Sequence, residues 1–301
     1  MAVFQGAGVA LVTPFDENLS IDYEALGRLI EMQIREQTDA LIVCGSTGEP
    51  ATMTREEKLS VIRFAVEITG GRIPVIAGSG GNNTSDVVAF SNEAMEAGAD
   101  ALLVVTPFYN KATQEGLYRH YKLLADTVPL PIIMYNVPSR TGCNLLPQTA
   151  VRLAKDCSNL VGVKEASGDI SQVAKLSKLA RQEGVDLAIY SGNDDQIVPV
   201  LALGGLGVIS VLSNVAPRDT HDMVMAYLNG DRGKALDLQL HYLDLIDALF
   251  CEVNPIPVKA GLAMMGLIDG ALRLPLTKIE EEHKAVLLRI FESYGLVSCG
   301  K

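Results

Sequence analysis

The sequence predicts an α/β protein, a closed (β/α)8 TIM barrel with an appended C-terminal helical layer. Short apolar or β-branched runs recur along the chain, each followed by a segment whose apolar residues keep a helical period. The runs are nearly continuous in apolar character, the mark of a parallel sheet covered on both faces. An open doubly wound sheet is the runner-up. Its fingerprint is missing, because Gly78-Ser-Gly80-Gly81-Asn82-Asn83 lacks the third glycine of G-x-G-x-x-G.

In order, strands are expected at Gly8–Thr13, Ala40–Cys44, Ile73–Ala77, Ala101–Thr106, Ile132–Tyr135, Leu160–Lys164, Leu187–Tyr190 and Gly207–Val211. The first helix is read from Leu26, Leu29, Ile30 and Ile34, and the second from Leu59, Ile62, Ala65 and Val66. After about residue 225 the pattern changes. Leu236, Leu240 and Leu243 form one stripe, and Leu238, Tyr242, Leu245 and Leu249 another, so that helix is expected to be covered on two sides. Asn254-Pro-Ile-Pro257 breaks it, and two further helices follow near 258–266 and 279–293. The expected division is a catalytic barrel over residues 1–225 and a helical region over 226–301 packed on it or on a neighbouring subunit.

Composition excludes several functions. A net charge of −11 over 301 residues argues against nucleic acid or an acidic membrane as partner, since phosphates are bound by clustered Lys and Arg. An anionic substrate must then be met by locally placed cations or amide dipoles. Five cysteines (Cys44, Cys143, Cys157, Cys251, Cys299), odd in number and widely spaced, point to a reduced, cytoplasmic chain. The histidines (His120, His221, His241, His283) show no metal-ligand spacing, so no metal site is expected. The N-terminus carries no signal-peptide pattern, and no apolar run approaches the length of a membrane helix.

In a barrel of this kind the chemistry gathers at the C-terminal ends of the strands. The sixth strand, Leu160-Val-Gly-Val-Lys164, ends in a lysine. An amine held in an apolar pocket loses protons more readily and becomes a nucleophile, as Schiff-base chemistry on a carbonyl requires. Taken alone, the stretch equally fits a lysine frayed into solvent or paired with Glu165. Tyr135 ends the neighbouring strand, within reach of that amine, and a phenol can pass the protons that imine formation moves. Ser46 and Thr47 bring hydroxyls and glycine-flanked amides suited to a small carboxylate, or else cap a plain turn. Arg140 could clamp a carboxylate in a bidentate fork, or else is a surface cation.

Together, Gly45-Ser-Thr-Gly-Glu49, Tyr135-Asn-Val-Pro-Ser-Arg-Thr-Gly142, Gly162-Val-Lys-Glu165, Ser191-Gly192 and Gly207-Val-Ile-Ser210 resemble the signatures of the pyruvate-dependent class I lyases. More narrowly they are similar to the dihydrodipicolinate synthase branch, and the likeness extends to Asn254-Pro-Ile-Pro-Val-Lys259. The resemblance implies that Lys164 forms a Schiff base with pyruvate, with no metal or organic cofactor. It implies a proton relay of Tyr135, Ser46 and Tyr109, the last reaching in from a second subunit. Thr47 would hold the pyruvate carboxylate, Arg140 the carboxylate of aspartate semialdehyde, and the backbones of Gly192 and Ile209 would line the pocket. A homotetramer, a dimer of tight dimers, is implied as well.

The chain departs from that pattern at several positions. Ser46 stands where the synthases usually carry threonine, and serine there is usual in the sister N-acetylneuraminate lyases. Ala112 replaces a common proline. The arginine at 140 favours the synthase branch over lyases acting on N-acetylneuraminate, keto-deoxy-sugar acids or hydroxybenzylidene-pyruvate. A non-catalytic sugar-acid-binding barrel, or a phosphosugar enzyme using Gly204-Gly-Leu-Gly207, are readings of other classes. In lysine-inhibited members an effector cleft carries histidine, glutamate and tyrosine; the matching positions here are Arg55, Lys58, Asp86 and Phe108. Two cations facing an ammonium group predict little or no feedback by lysine.

Overall fold

The computed structural model describes residues 1–298; Cys299 lies outside them. Eight parallel strands close into one barrel: β1 (Gly6–Ala10), β2 (Ala40–Val43), β3 (Val75–Gly78), β4 (Ala101–Val105), β5 (Ile132–Asn136), β6 (Leu160–Glu165), β7 (Ala188–Ser191) and β8 (Gly207–Ser210). All eight expected runs are strands. The strand β1 starts two residues earlier than its apolar run, because Gly6 pairs with Gly207 to close the ring, and it ends earlier, at Ala10. A Cβ on Gly207 would sit 2.0 Å from the Gly6 carbonyl oxygen, so only glycine allows the two strands to meet there.

Helices α1 (Tyr23–Arg35), α2 (Arg55–Thr69), α3 (Thr84–Glu96) and α4 (Gln114–Thr127) follow β1 to β4. A four-residue turn α5 (Pro138–Thr141) and α6 (Pro147–Asp156) follow β5; α7 (Ile170–Gln182), α8 (Ile197–Ala202) and α9 (Pro217–Leu228) complete the ring. Several starts are fixed by side chains accepting from orphan amides, among them Asp22, Thr54 with its reciprocal Glu57, Asn83, Thr113 and Asp169. The barrel interior is filled by residues such as Ala10, Ile42, Ile76, Leu103, Ile133, Tyr135 and Ile209. Its floor is plugged by Phe4, which stacks on Tyr190 and accepts that phenol's hydrogen bond at 2.7 Å.

The tail forms α10 (Arg232–His241), α11 (Leu243–Leu249), α12 (Ile256–Met264) and α13 (Glu281–Ser293). The expectation of one continuous helix is corrected, while cover on both sides is not provided within the single chain. The segment is two helices, meeting at Tyr242. Leu245, Leu249 and Tyr242 are buried, whereas Leu236 and Leu240 are 47% and 57% exposed, so their stripe is uncovered in the single chain. Among the described residues, no helix is long and apolar enough to cross a membrane.

Among the contacts that fasten tail to barrel is a buried ion pair. Lys259 on α12 is fully buried and pairs with buried Glu49 at 2.6 Å while donating to the Thr13 carbonyl at 3.0 Å. Its ammonium also lies over the Phe15 ring. Burying both charges costs several kcal/mol each, so removing one partner alone is severe. Lys259→Met is expected to lose about 3–5 kcal/mol of unfolding free energy, and the pair Lys259→Met with Glu49→Leu to recover most of it, by urea denaturation. A single variant as stable as the parent would show that the ion pair holds nothing.

Candidate active site

The register of the sheet decides what the sixth strand presents. Tyr135 on β5 lies opposite Lys164 on β6, and Asn136 opposite Glu165. Alternate residues of a strand face opposite sides. Tyr135 and Lys164 therefore share the interior. Glu165 faces outward, accepting from Asn136 Nδ2 at 3.1 and 3.2 Å, Gln172 Nε2 at 3.1 Å and Ser167 N at 2.8 Å. The alternative of a Lys164–Glu165 pair is thereby removed, as is a lysine frayed into water: Lys164 is 5% exposed.

The Lys164 ammonium nitrogen lies 4.4 Å from the centre of the Tyr135 ring. Burial lowers its pKa from the ordinary 10.5 to about 8; buried Asp194 pulls the other way through space, and Arg140 adds to the lowering. Burial likewise raises the Tyr135 phenol, with the Arg140 charge and the Ser46 hydroxyl opposing it. Gly192, just past β7, makes room for the amine: a Cβ there would stand 2.6 Å from Ala166 Cβ and 3.1 Å from Lys164 Cε. Ile209 on β8 is fully buried and packs inside the barrel.

Ser46, Thr47 and Gly48 form a short helical turn after β2, flanked by Cys44 and Glu49, both with φ of 55°. A left-handed conformation in such residues is strain the surroundings must enforce. Here Thr13 Oγ1 donates to the Gly48 carbonyl at 2.7 Å, and Lys259 holds Glu49. Thr47 is buried, and its Oγ1 accepts from Asn254 Nδ2 at 2.9 Å. Arg140 on α5 is exposed, and its Nη2 donates to the Asn254 carbonyl at 3.1 Å.

A cavity of about 700 Å³ opens beside this group. Of the residues singled out in the sequence, Ser46, Tyr135 and Arg140 line it; Lys164, Thr47, Gly192 and Ile209 do not reach its wall. The amine is packed over the Tyr135 ring, and Tyr135 is on the wall. Tyr109 does not line the cavity either: it is 89% exposed, on a loop with φ of 73°. The same cavity extends past Arg55, Lys58, Asp86 and Phe108.

Two residues of the site were not singled out in the sequence. Asp194 is buried, its Oδ2 accepts from Val211 N at 3.0 Å and Leu212 N at 2.9 Å, and its Oδ1 has no hydrogen-bond partner among the described residues. A sequence signal existed, since Asp194 lies two residues beyond Gly192 at the end of β7. Asn254 had only its place in Asn-Pro-Ile-Pro. The structure also places His283 against Glu252, with Nδ1 2.8 Å from Oε1, and the Glu280 amide donates to the same oxygen at 2.9 Å. Glu252 accounts chiefly for the raised His283 pKa, so the group reads as an ion pair.

The comparisons with known proteins agree along the whole chain. The model of the "Dihydrodipicolinate synthetase family" matches residues 3–293. The 4-hydroxy-tetrahydrodipicolinate synthase of Lachnoclostridium phytofermentans is 55% identical over 297 residues, 99% of this chain and all of that protein. The structure of dihydrodipicolinate synthase from Thermotoga maritima superposes with a TM-score of 0.96 at 44% identity, covering 98% of this chain and 100% of that one. That of Acinetobacter baumannii, complexed with pyruvate, gives 0.94 at 41% identity over 97% and 99%. The chain is a lyase of the dihydrodipicolinate synthetase family.

Proposed function

We propose that the chain condenses pyruvate with L-aspartate 4-semialdehyde to 4-hydroxy-tetrahydrodipicolinate, a step of lysine and diaminopimelate biosynthesis, through an imine on Lys164. The observation that carries this reading is the buried amine packed on the Tyr135 ring with its pKa lowered to about 8. At neutral pH such an amine is about one-tenth unprotonated, against roughly three parts in ten thousand for an ordinary lysine. The neutral amine adds to the pyruvate ketone, and loss of water leaves the imine. The iminium draws off electrons as a methyl proton leaves, giving an enamine, so the lysine does the work of a cofactor. The enamine carbon attacks the aldehyde of the second substrate. That substrate's own amine then displaces Lys164, and the cyclic product leaves with the lysine free.

The remaining roles are those the family likeness implies. Tyr135 and Ser46 exchange the protons, with Tyr109 joining the relay from a second copy of the chain; its exposure in the single chain supports this. Thr47 takes the carboxylate of pyruvate and Arg140, at the cavity wall, that of the semialdehyde. The backbones of Gly192 and Ile209 border the bound keto acid. We read residues 1–225 as the catalytic barrel and 226–301 as a helical region packed on it. The uncovered Leu236 and Leu240 support assembly, which we take to be a homotetramer. Free thiols at Cys44, Cys143, Cys157 and Cys251 suit the reducing cytoplasm.

Lysine feedback is expected to be weak or absent. Arg55 is held by Glu93 at 2.6 and 2.8 Å and, with Lys58, lies over the Phe90 ring. Both cations border the cavity, where an effector ammonium would meet them. An assay in lysine checks this, and inhibition at sub-millimolar lysine would contradict it.

Borohydride reduction in the presence of pyruvate should add the mass of a reduced pyruvyl group at Lys164, and Lys164→Met should lose both the adduct and turnover. An adduct-free parent would sink the mechanism. Imine formation should also rise with pH through about 8, because the reactive amine is the deprotonated one. Asp194 favours the ammonium, so Asp194→Asn should move that rising limb to lower pH; a limb displaced upward would refute the assignment.

A further inference from the structure

We propose that Asn254 is a positioning residue that turns the Thr47 hydroxyl proton towards the keto-acid carboxylate and ties that point to Arg140. The inference rests on the function proposed above. Its basis is a pair of contacts made by one residue: the side-chain amide donates to Thr47 Oγ1 at 2.9 Å, and the backbone carbonyl accepts from Arg140 at 3.1 Å. The two groups that would hold the two substrate carboxylates are thus joined through a single residue of the tail, 207 positions from Thr47.

The direction of the first bond is what matters. A hydroxyl has one proton to give and lone pairs to accept with. Asn254 Nδ2 donates into a lone pair of Thr47, so the threonine proton stays free for an outside acceptor. A carboxylate is such an acceptor, and a bond from hydroxyl to carboxylate is charge-assisted and strong. Asn254 also leaves its Oδ1 buried without a partner among the described residues, which packing alone would not favour, because an unsatisfied buried acceptor is destabilising. The residue is held from behind by the next helix. Lys259, five residues on, grips Glu49, two residues past Thr47, so Asn254 and Lys259 pin both ends of the Thr47–Glu49 turn.

Two substitutions separate this role from packing. Asn254→Asp keeps the volume but can only accept when ionised. It would draw the Thr47 proton inward and set a negative charge beside a carboxylate. Asn254→Ala removes the donor and leaves a small void. A positioning role therefore orders the pyruvate KM as parent, then alanine, then aspartate, with the alanine variant raised about tenfold and the aspartate variant further. The KM for the semialdehyde should move little, because the backbone carbonyl facing Arg140 survives both changes. A packing role orders them the other way, the isosteric aspartate being the milder, and that result overturns the proposal. So does a parallel rise in both KM values. Should the alanine variant fail to fold, aspartate carries the test alone, and a pyruvate KM within about twofold of the parent rejects the role. Borohydride trapping of pyruvate on the unaltered enzyme is run first. Its failure counts against the Lys164 reading, whereas successful trapping with the wrong KM order counts against Asn254 only.

Discussion

The structure depends on the difference between two buried lysines. Lys259 and Lys164 are both withdrawn from water, and desolvation disfavours an ammonium in each place. Lys259 is given everything a charge can be given: a carboxylate at 2.6 Å, a carbonyl at 3.0 Å and an aromatic face. Lys164 has an aromatic face and a distant carboxylate, felt through space without a hydrogen bond. The first is a fastening. The second is left incompletely compensated, and incomplete compensation is what makes an amine reactive near neutral pH.

Asp194 sets how far that goes. Burial raises its own pKa, while the Ser210 hydroxyl, the Leu212 and Val211 amides and Lys164 favour its ionised form. The two amides are backbone donors just beyond β8, so the carboxylate stays where the fold puts it whether or not the amine is charged. A freely paired Asp–Lys couple would have kept the amine protonated. Holding the acid by amides rather than by the lysine leaves the amine free to leave its charged state and react.

The barrel was legible because its signals are local. A continuous apolar run names a buried strand, and strand order in a closed ring puts β5 beside β6; the pairing of Tyr135 with Lys164 also needs the register shift between Ile132 and Ile133. The strand ends were less exact where pairing, not polarity, sets them, as at Gly6. Leu236 and Leu240 show what a single chain leaves open: an apolar stripe records that something covers it, and among the described residues of one chain nothing does. Asn254 and Glu49 could not have been read as a unit with Thr47 and Lys259, since each contact joins residues more than 200 positions apart. Such contacts exist only once the ring has closed.

The acidic balance of the chain gives those long-range contacts their purpose. A protein of net charge −11 must still admit anions, and long-range steering works against it. Three cations, Arg140, Arg55 and Lys58, border one cavity, where low-dielectric walls strengthen short-range attraction. None of the three sits on a strand. Arg140 lies on a four-residue turn and is steadied by a carbonyl of the tail, so its reach depends on how the last quarter of the chain packs. The amine and phenol proposed for the chemistry thus lie on the rigid sheet, and Arg140 on a turn that the tail braces. An acceptor aldehyde could be exchanged by altering the bracing while the amine and phenol at the centre stay as they are.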